Sequence, residues 1–331
     1  MNLDGKRILI SRTDSIGDVM LSLPMCAWLK NKFPSSTVLF LGRKYTESIV
    51  NAYDRVDQFV DWDSFSPLSK EEKTEKLTAL KVDVIVHVFP NKEIASIAKK
   101  AKIPFRIGTS HRVFHLLTCT HRLNFTRKNS EMHESQLNHE LLLPFGITEL
   151  PALEEIIETT QFFHVPEIDL PHDLSELNNV TILHPKSQGS AKEWPIEKYM
   201  ETALFIANKG EKVVFTGTET EGEKFRKRIP DHPNIFDSTG TLSLEQLMLL
   251  IAKSTNLVAC STGPLHIAGY YGVNTIGLYS PKKPIHPGRW KALGKQVKII
   301  VFNKRCVNCE KGADCDCILS ISVDAVLDKL V

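Results

Sequence analysis

Residues 7–18 read RILISRTDSIGD, and this stretch carries the pattern that decides the fold. Residues 7–11 form a short, β-branched and apolar run of strand length. Gly17 and Asp18 follow where the loop turns into a helix, and a glycine there lets the backbone approach a ligand closely. A strand, a polar loop and a helix start in this order predict a βα unit of a parallel sheet.

The same alternation of strands and helices continues along the chain. The predicted strands cover residues 7–11, 37–41, 58–60, 83–88, 180–184, 212–216, 256–260 and 275–278. The predicted helices begin at Asp18, Lys44, Glu71, Lys92, Pro195, Glu221, Ser243 and Pro264. This alternation predicts an α/β fold with doubly wound parallel sheets.

Two domains are expected, because 331 residues exceed the size that one hydrophobic core usually fills. A polar, proline-bearing stretch near residues 164–179 interrupts the alternation, as a linker would. We therefore predict domains at residues 1–168 and 169–331. Ligands bind outside the carboxyl ends of parallel strands, so two such domains facing one another would form a cleft.

Composition excludes several classes of protein. Apolar residues make up 42% and charged residues 24% of the chain, as in ordinary soluble proteins. No run approaches the ~18 apolar residues that a membrane helix needs, so we predict no transmembrane segment. The first residues lack a signal-peptide pattern, and the seven cysteines fit reduced thiols. A cytoplasmic protein is expected.

One segment concentrates positive charge. Residues 99–130 contain no Asp or Glu, and their cationic and histidine residues are Lys99, Lys100, Lys102, Arg106, His111, Arg112, His115, His121, Arg122, Arg127 and Lys128. The resulting potential favours a small anionic partner, although a solvated face with counter-charges elsewhere is an alternative. Nucleic acid is disfavoured, because aromatic interleaving and helix-turn-helix patterns are missing.

Three more loops follow predicted strands and can hold phosphate. They are residues 184–195 (HPKSQGSAKEWP, with Ser187 and Lys192), residues 216–221 (TGTETE) and residues 260–266 (CSTGPLH). Hydroxyls, glycines and lysines before a helix suit a diphosphate, while an ordinary surface loop is the alternative for residues 184–195. The phosphate-loop and dinucleotide-binding fingerprints are both missing from the sequence, so NAD binding is not supported.

Together these motifs resemble glycosyltransferase family 9, the heptosyltransferases of lipopolysaccharide synthesis. The motifs that carry the resemblance are residues 15–19 (SIGDV) with Leu23-Pro24, residues 103–108 (IPFRIG), His184-Pro185 with residues 192–195 (KEWP), residues 243–245 (SLE) and residues 261–266 (STGPLH). The resemblance implies a GT-B fold of two facing Rossmann-like domains with an interdomain cleft. The first domain would bind the acceptor and the second an ADP-sugar, and the last helix, near residues 323–330, would pack on the first domain.

The resemblance also implies roles for individual residues. Asp18 resembles the general base, although an Asp at a helix start is often only a cap. The implied donor-binding residues are Lys192 and Ser187, Thr262 and Gly263 for the diphosphate, Glu221 for ribose, Leu242 near adenine, and His266 with Ser261. The expected acceptor-binding residues are Gly17, Arg106, Arg112 and Arg122. Ser261 replaces an Asp that is frequent in the family, so heptose is only the default sugar.

No metal and no cofactor are assigned to the reaction. Residues 61–63 and 314–316 both spell Asp-x-Asp, but a lysine and a helix N-terminus can neutralise a leaving diphosphate instead. Cys306, Cys309, Cys315 and Cys317 could close a structural zinc site, but the final Cys-x-Cys is tight and buried or redox-responsive thiols are the preferred interpretation.

The predicted function is therefore an inverting, metal-independent glycosyl transfer from a nucleotide diphosphate sugar. The expected acceptor is an anionic, lipid-linked saccharide, and a position at the inner surface of the cytoplasmic membrane would suit it. Two alternatives stay open. A nucleotide-sugar 2-epimerase would turn over its donor without an acceptor, and a non-catalytic module would bind the nucleotide sugar without turnover.

Overall fold

The computed structural model describes residues 1–127, 130–303, 305–313 and 315–331. The chain divides into two compact units, Met1–His164 and Val165–Val331. The predicted domain boundary after residue 168 lies just beyond this division. Each unit has its own sheet and its own core.

A six-stranded parallel sheet forms the centre of the first unit. Its strands are β1 (Arg7–Ser11), β2 (Thr37–Gly42), β3 (Gln58–Asp61), β4 (Val84–His87), β5 (Phe105–Thr109) and β6 (His121–Leu123). Its α-helices are α1 (Ile16–Met20), α2 (Leu23–Lys32), α3 (Glu47–Asn51), α4 (Lys70–Ala79), α5 (Lys92–Lys100), α6 (Val113–Thr118), α7 (Glu134–His139) and α8 (Leu153–Glu158). Short 3-10 helices cover Lys44–Thr46, Asp63–Phe65, Glu140–Phe145 and Thr159–Phe162. The strand order is β3-β2-β1-β4-β5-β6, so the direction of winding reverses between β1 and β4.

Strand β1 lies at the centre of this sheet. Its residue Leu9 pairs in register with Leu39 of β2 on one side and with Ile85 of β4 on the other. All three side chains are buried. A parallel strand covered by helices on both faces needs apolar residues at successive positions, which explains the continuous apolar run that begins the chain.

The second unit repeats this architecture. Its strands are β7 (Thr181–His184), β8 (Val213–Phe215), β9 (Ile235–Asp237), β10 (Asn256–Cys260), β11 (Asn274–Leu278) and β12 (Val297–Ile300). Its α-helices are α9 (His172–Ser175), α10 (Ile196–Asn208), α11 (Glu219–Gly222), α12 (Leu244–Ala252), α13 (Gly263–Tyr270), α14 (Pro287–Trp290), α15 (Val307–Glu310) and α16 (Val323–Leu327), with a 3-10 turn at Arg226–Arg228. The order β12-β11-β10-β7-β8-β9 reverses between β7 and β10.

The last helix belongs to the core of the second unit. Val323 and Val326 of α16 are buried in one cluster with Tyr199 and Ala203 of α10. Apolar side chains at positions i and i+3 of a helix share one face, so α16 uses its apolar face on α10. The predicted packing of this helix on the first domain stays a prediction.

The predicted fold class, an α/β chain with two doubly wound parallel sheets, is confirmed. Every predicted strand is present, while β5, β6, β9 and β12 were not predicted. The helix predicted from Lys44 begins as a 3-10 turn, and the helix predicted from Glu221 already starts at Glu219. Among the described residues, none of the helices combines the length and apolarity that crossing a bilayer requires.

Candidate functional site

Several of the predicted residues lie at the points where the strand order reverses. Open parallel sheets bind ligands outside the carboxyl ends of their strands at such points. In the first unit, Asp18 follows β1, one of the two strands at the reversal. In the second unit, Ser187 and Lys192 follow β7, and residues 261–263 follow β10. The topology therefore provides one candidate site in each unit.

In the first unit, a buried arginine organises the site. Arg12 contacts the carboxylates of Asp14, through Nε at 2.7 Å, and of Glu134, through Nη1 at 3.5 Å. It also forms a short ion pair with Asp18. Burial disfavours the charged guanidinium, but these carboxylates outweigh burial and raise the pKa of Arg12 above its ordinary value. The carboxylates of Asp14, Asp18 and Glu134 thus all contact the buried guanidinium of Arg12.

Asp18 is held by side chains in the first turn of α1. Its carboxylate accepts a hydrogen bond from the Ser15 hydroxyl as well as from Arg12. The Ser22 hydroxyl donates to the main-chain carbonyl of Asp18 at 2.8 Å. Ser15 is the N-cap residue of α1, so Asp18 does not occupy the cap position. The side chain of Asp18 keeps 19% of its surface exposed, which leaves it accessible to a substrate.

Glu134 was missed by sequence reasoning. It is buried at the start of α7 and accepts from Arg127 Nε at 3.0 Å. Arg127 Nη2 also donates to Asn138 Oδ1 at 2.9 Å, and Asn138 Nδ2 donates to the carbonyl of Leu21 at 3.0 Å. Helix α7 is thereby fastened beside α1. The Arg12–Glu134 pair joins distant parts of the chain, so local pattern could not indicate it.

Two arginines of the basic segment, residues 99–130, form hydrogen bonds with main-chain carbonyls of the first unit. Arg106 Nε donates to the carbonyl of Thr118 at 2.6 Å, and its Nη1 bonds the carbonyl of Ile103. Arg122 Nη1 donates to the carbonyl of Cys119 at 3.1 Å, whereas Arg112 is exposed. Lys128 lies outside the described residues. Acceptor binding by Arg106, Arg112, Arg122 and the half-buried Gly17 stays a prediction.

Helix α6 presents apolar side chains to solvent. Val113, Leu116 and Leu117 are exposed by 79%, 54% and 73%. They stand at positions i, i+3 and i+4, which lie on one face of a helix. Arg112 precedes this helix, and Arg122 follows it on β6; both are exposed. We call these five residues the α6 surface, because they combine an apolar face with cationic neighbours.

Asp14 should make the stability of the protein depend on pH. Burial raises the pKa of Asp14 to about 6 against an ordinary value of 3.8, since it exceeds the attraction of Arg12, and Asp18 adds to the rise. The folded state therefore holds the proton more tightly, and this stabilisation is lost as pH rises through about 6. From about pH 4 to about pH 7, we expect the wild type to lose about 1–3 kcal/mol of unfolding free energy relative to Asp14→Asn. Urea unfolding at a series of pH values measures this difference.

The comparison between the two proteins isolates Asp14 from other buried groups. Burial lowers the pKa of His87 to about 3 and that of His139 to about 4. Both histidines stabilise the fold above their unfolded pKa and lose that contribution as pH falls. The contribution of Asp14 is instead lost as pH rises. The two histidines are shared by the wild type and the variant, so they cancel in the difference. If the unfolding free energies of the wild type and of Asp14→Asn changed with pH in parallel, the raised pKa of Asp14 would be contradicted.

In the second unit, the loop after β7 is fixed by Glu193. Its carboxylate accepts from Lys186 Nζ at 2.7 Å and from the Ser187 amide at 3.0 Å. Burial acts to raise the pKa of Glu193, but these hydrogen bonds outweigh it and lower the pKa. The Ser187 hydroxyl lies 3.0 Å from the carbonyl of Ala191 and 3.1 Å from Glu193. Ser187 thus holds the loop, and its contact with a donor stays a prediction.

The loops after β7 and β10 meet. The Ser190 hydroxyl donates to the carbonyl of Ser261 at 3.2 Å. Thr262 follows as the N-cap of α13, with Gly263 as the first residue and Pro264 in the first turn. His266 lies one turn further along and is buried. The structure therefore brings the predicted diphosphate-binding turn beside the loop that carries Lys192.

The Thr262 side chain has an unmet hydrogen-bonding requirement. Its hydroxyl is buried, and among the described residues it has no hydrogen-bond partner. A buried polar group without a partner costs about 1–3 kcal/mol, so such groups usually meet a ligand or water. The amides in the first turn of α13 lack helical partners as well and favour an anion. These two observations point to a negatively charged ligand at Thr262.

Lys192 lies beside the cysteine-rich segment. Its Nζ is 3.5 Å from the carbonyl oxygen of Cys315. A cavity of about 640 Å³ opens here, and its lining residues include Lys192, Glu193, Phe302, Asn303, Cys306 and Asp316. The sequence had not indicated this neighbourhood, because the two segments are far apart in the chain.

The two remaining donor candidates have local roles. Glu221 is buried, and its Oε2 accepts from the Thr218 amide at 2.8 Å in a capping box at the start of α11. Leu242 is half-buried and directly precedes Ser243, the N-cap of α12. Their predicted contacts with ribose and adenine stay predictions.

The Asp-x-Asp motif at residues 61–63 is engaged locally. Asp61 Oδ1 accepts from the Asp63 amide at 2.8 Å, and Asp63 Oδ2 accepts from the Lys44 amide at 2.9 Å. Asp63 also forms an ion pair with Arg43. These contacts give both carboxylates a role in the turn after β3. In the second motif, Asp314 lies outside the described residues.

Comparison with known proteins gives one family. The model of glycosyltransferase family 9 (heptosyltransferase) matches residues 75–316. Lipooligosaccharide heptosyltransferase 2 of Haemophilus influenzae is 24% identical over 296 residues, which cover 84% of this chain and 84% of that protein.

Solved structures share the fold over nearly the whole chain. The glycosyl transferase family 9 protein from Veillonella parvula has a TM-score of 0.80 at 21% identity, covering 99% of this chain and 97% of that one. The E. coli heptosyltransferase WaaC with ADP has a TM-score of 0.74 at 17% identity, covering 97% and 98%.

Proposed function

Because this chain belongs to glycosyltransferase family 9, as the sequence motifs predicted, we propose that it is an inverting, metal-independent transferase. It moves a sugar, by default heptose from ADP-heptose, to an anionic acceptor of the lipopolysaccharide-core type. The first unit binds the acceptor, and the second binds the nucleotide sugar. The observation that carries this proposal is the accessible carboxylate of Asp18, held by Arg12 and Ser15 at the reversal of the first sheet.

The proposed reaction needs a base and a site for the leaving group. The Asp18 carboxylate takes the proton of the acceptor hydroxyl while that oxygen attacks the anomeric carbon. The bond from this carbon to the diphosphate breaks, and the nucleoside diphosphate leaves with the electron pair. Arg12 and Ser15 fix the direction of the carboxylate, so little reorganisation is required at the moment of proton transfer.

The second unit supplies groups for the donor. The Thr262 hydroxyl and the first amides of α13 offer hydrogen bonds to the diphosphate, and Lys192 offers positive charge. ADP as the nucleotide is supported by the E. coli heptosyltransferase WaaC, whose solved structure contains ADP. Ser261 stands where an Asp is frequent in the family, so the sugar is the least constrained part of the proposal.

Mass spectrometry of the reaction products tests this function. The full chain is incubated with ADP-heptose and a heptose-free lipopolysaccharide core, and the acceptor should gain the mass of one heptose. The same measurement on core saccharides from a deletion strain identifies the sugar if heptose is not transferred. Donor turnover without an acceptor would favour a 2-epimerase. Donor binding without any turnover would favour a non-catalytic binding module.

We also place the protein at the inner surface of the cytoplasmic membrane, where a lipid-linked acceptor would be found. The support comes from the α6 surface, whose exposed leucines and valine adjoin exposed arginines. Apolar side chains can enter the boundary between headgroups and acyl chains, and each nearby cation adds about 1 kcal/mol on an anionic surface. This position is peripheral and needs no spanning helix.

Leu117→Glu should weaken membrane association. Burying a leucine is worth about 1.5–3 kcal/mol, so we expect the partition coefficient on phosphatidylglycerol vesicles to fall about tenfold or more. Vesicle flotation measures the bound fraction, and binding should also decrease as salt rises because exposed charges are screened. Leu204→Glu is the matched control, since Leu204 is 38% exposed on α10 of the second unit. Equal binding by both variants would remove α6 from the proposed membrane contact.

A further inference from the structure

Four cysteine side chains converge in the second unit. Cys306 is the N-cap of α15, Cys309 lies within this helix, and Cys315 and Cys317 follow in the next turns. Their four Sγ atoms all lie within 4.8 Å of one another. The folded chain therefore gathers thiols that the sequence spacing alone left uncertain.

The sulfur–sulfur separations allow a metal site after small movements of the side chains. A tetrahedral zinc–thiolate site has metal–sulfur distances of about 2.3 Å, which place its sulfur atoms about 3.8 Å apart. The present limit of 4.8 Å lies close to this value. Cys309 Sγ and Cys315 Sγ are 2.8 Å apart, which is longer than a disulfide bond of about 2.05 Å and about 1 Å shorter than the separation in such a site. Small side-chain movements would complete a tetrahedron.

The surroundings of the cluster resemble those of a closed structural site. Cys309 and Cys317 are buried, while Cys306 and Cys315 are half-buried. The Ser280 hydroxyl lies 3.5 Å from Cys309 Sγ, where it can donate a hydrogen bond to a thiolate. Outer contacts of this kind orient metal ligands and tune their basicity. Four protein ligands leave no open position for a substrate, so the site would not supply the chemistry of transfer.

The cluster also lies in a segment with little regular secondary structure. Helix α15 has only four residues, and the residues after Cys317 are held by apolar packing in the core of the second unit and by hydrogen bonds from Trp194 and Lys198 to main-chain carbonyls. Trp194 Nε1 donates to Ile321 at 3.0 Å, and Lys198 Nζ donates to Leu319 at 2.7 Å. A metal cross-link would therefore fix the short irregular stretch between α15 and the buried residues after Cys317.

We propose that Cys306, Cys309, Cys315 and Cys317 bind one metal ion, zinc or iron, through four thiolates. Tetrahedral sulfur coordination selects these two metals among the common ones. On binding, the four thiols release their protons to solvent, and the metal exchanges its water ligands for sulfur without a change of oxidation state. The site is structural and fixes the carbonyl of Cys315 near Lys192.

Metal analysis of the full chain tests this assignment. The protein is produced in media supplemented with zinc or with iron and purified under reducing conditions, and elemental analysis should find about one ion per chain. Zinc would give a colourless protein, whereas an iron–thiolate site would absorb visible light. Cys309→Ala should reduce metal occupancy roughly tenfold or more, while Cys119→Ala, a buried cysteine of the first unit, should keep it.

A second measurement uses the wild type and so does not depend on whether the cysteine variants fold. The wild type, stripped of metal with a chelator, is titrated with Co²⁺, which should give the intense sulfur-to-cobalt charge-transfer band of a tetrathiolate site. Chelation should also lower the unfolding temperature, and zinc should restore it. Metal-free wild type that does not take up Co²⁺ would overturn the proposal. So would disulfides among these cysteines in protein prepared without oxidant.

Discussion

The Asp18→Asn protein is expected to fold and to bind ADP-sugar as the wild type does, while its turnover number falls by about two orders of magnitude or more. An amide cannot take the proton of the acceptor hydroxyl. Its oxygen can still accept a hydrogen bond from Arg12, and its NH₂ group can donate to the Ser15 hydroxyl, so the local geometry should be preserved. Single-turnover kinetics with saturating donor and acceptor measures the loss, and calorimetry checks donor binding.

Asp63→Asn provides the matched control for this experiment. Asp63 belongs to the Asp-x-Asp motif of residues 61–63, but its carboxylate is engaged by the Lys44 amide and Arg43. We therefore expect turnover close to that of the wild type, with or without added divalent metal. A folded Asp18→Asn protein with near-native turnover would sink the assignment of the base. A large loss in Asp63→Asn would instead favour a metal-dependent reaction.

Lys192→Ala should raise the dissociation constant of the donor about ten- to a hundredfold, because charge-assisted contacts to phosphate are worth about 1.5–3 kcal/mol. The structure places Lys192 on the loop that Ser190 joins to Ser261, next to the turn at Thr262. Isothermal titration with ADP-heptose measures the change. The turnover number should fall as well, since the same charge neutralises the leaving diphosphate.

The control for Lys192 is Lys209→Ala, at the end of α10 in the same unit. Lys209 Nζ lies over the ring of Phe205, so removing it changes the charge of the unit without touching the loops after β7 and β10. Its donor affinity should match the wild type. If Lys192→Ala binds the donor normally, Lys192 is not a phosphate ligand, and its contact with the Cys315 carbonyl would describe its role.

Much of the fold could be predicted because buried parallel strands have continuous apolar sequences. Strands β1 and β10 were predicted with their observed bounds, since both lie at the centre of a sheet and are buried on both faces. The edge strands β6 and β12 were not predicted. Residues 121–123 read HRL, and residues 297–300 read VKII, in which charged residues at the sheet edge obscure the apolar pattern.

The candidate site could be predicted only where its residues are neighbours in sequence. Residues 15–18 and 261–263 lie at the starts of α1 and α13, shortly after a strand, and local pattern predicted this position to within two residues. The pairing of Arg12 with Glu134 depends on the packing of α7, which no local pattern encodes. The pKa of Asp14 also depends on burial by distant parts of the chain. Long-range contacts therefore set the electrostatics of the candidate site, and local sequence patterns cannot indicate them.

The buried hydroxyl of Thr262 should lower the stability of the ligand-free protein and add a contact when a ligand is bound. Without a ligand, the first turn of α13 holds a polar group that the surrounding protein leaves unsatisfied. An apolar residue of the same shape would relieve the empty protein and deprive the occupied one of a contact. This threonine is therefore expected to contribute to binding at the expense of the stability of the ligand-free protein. Under the proposed function, bound nucleotide sugar should stabilise the folded protein by mass action.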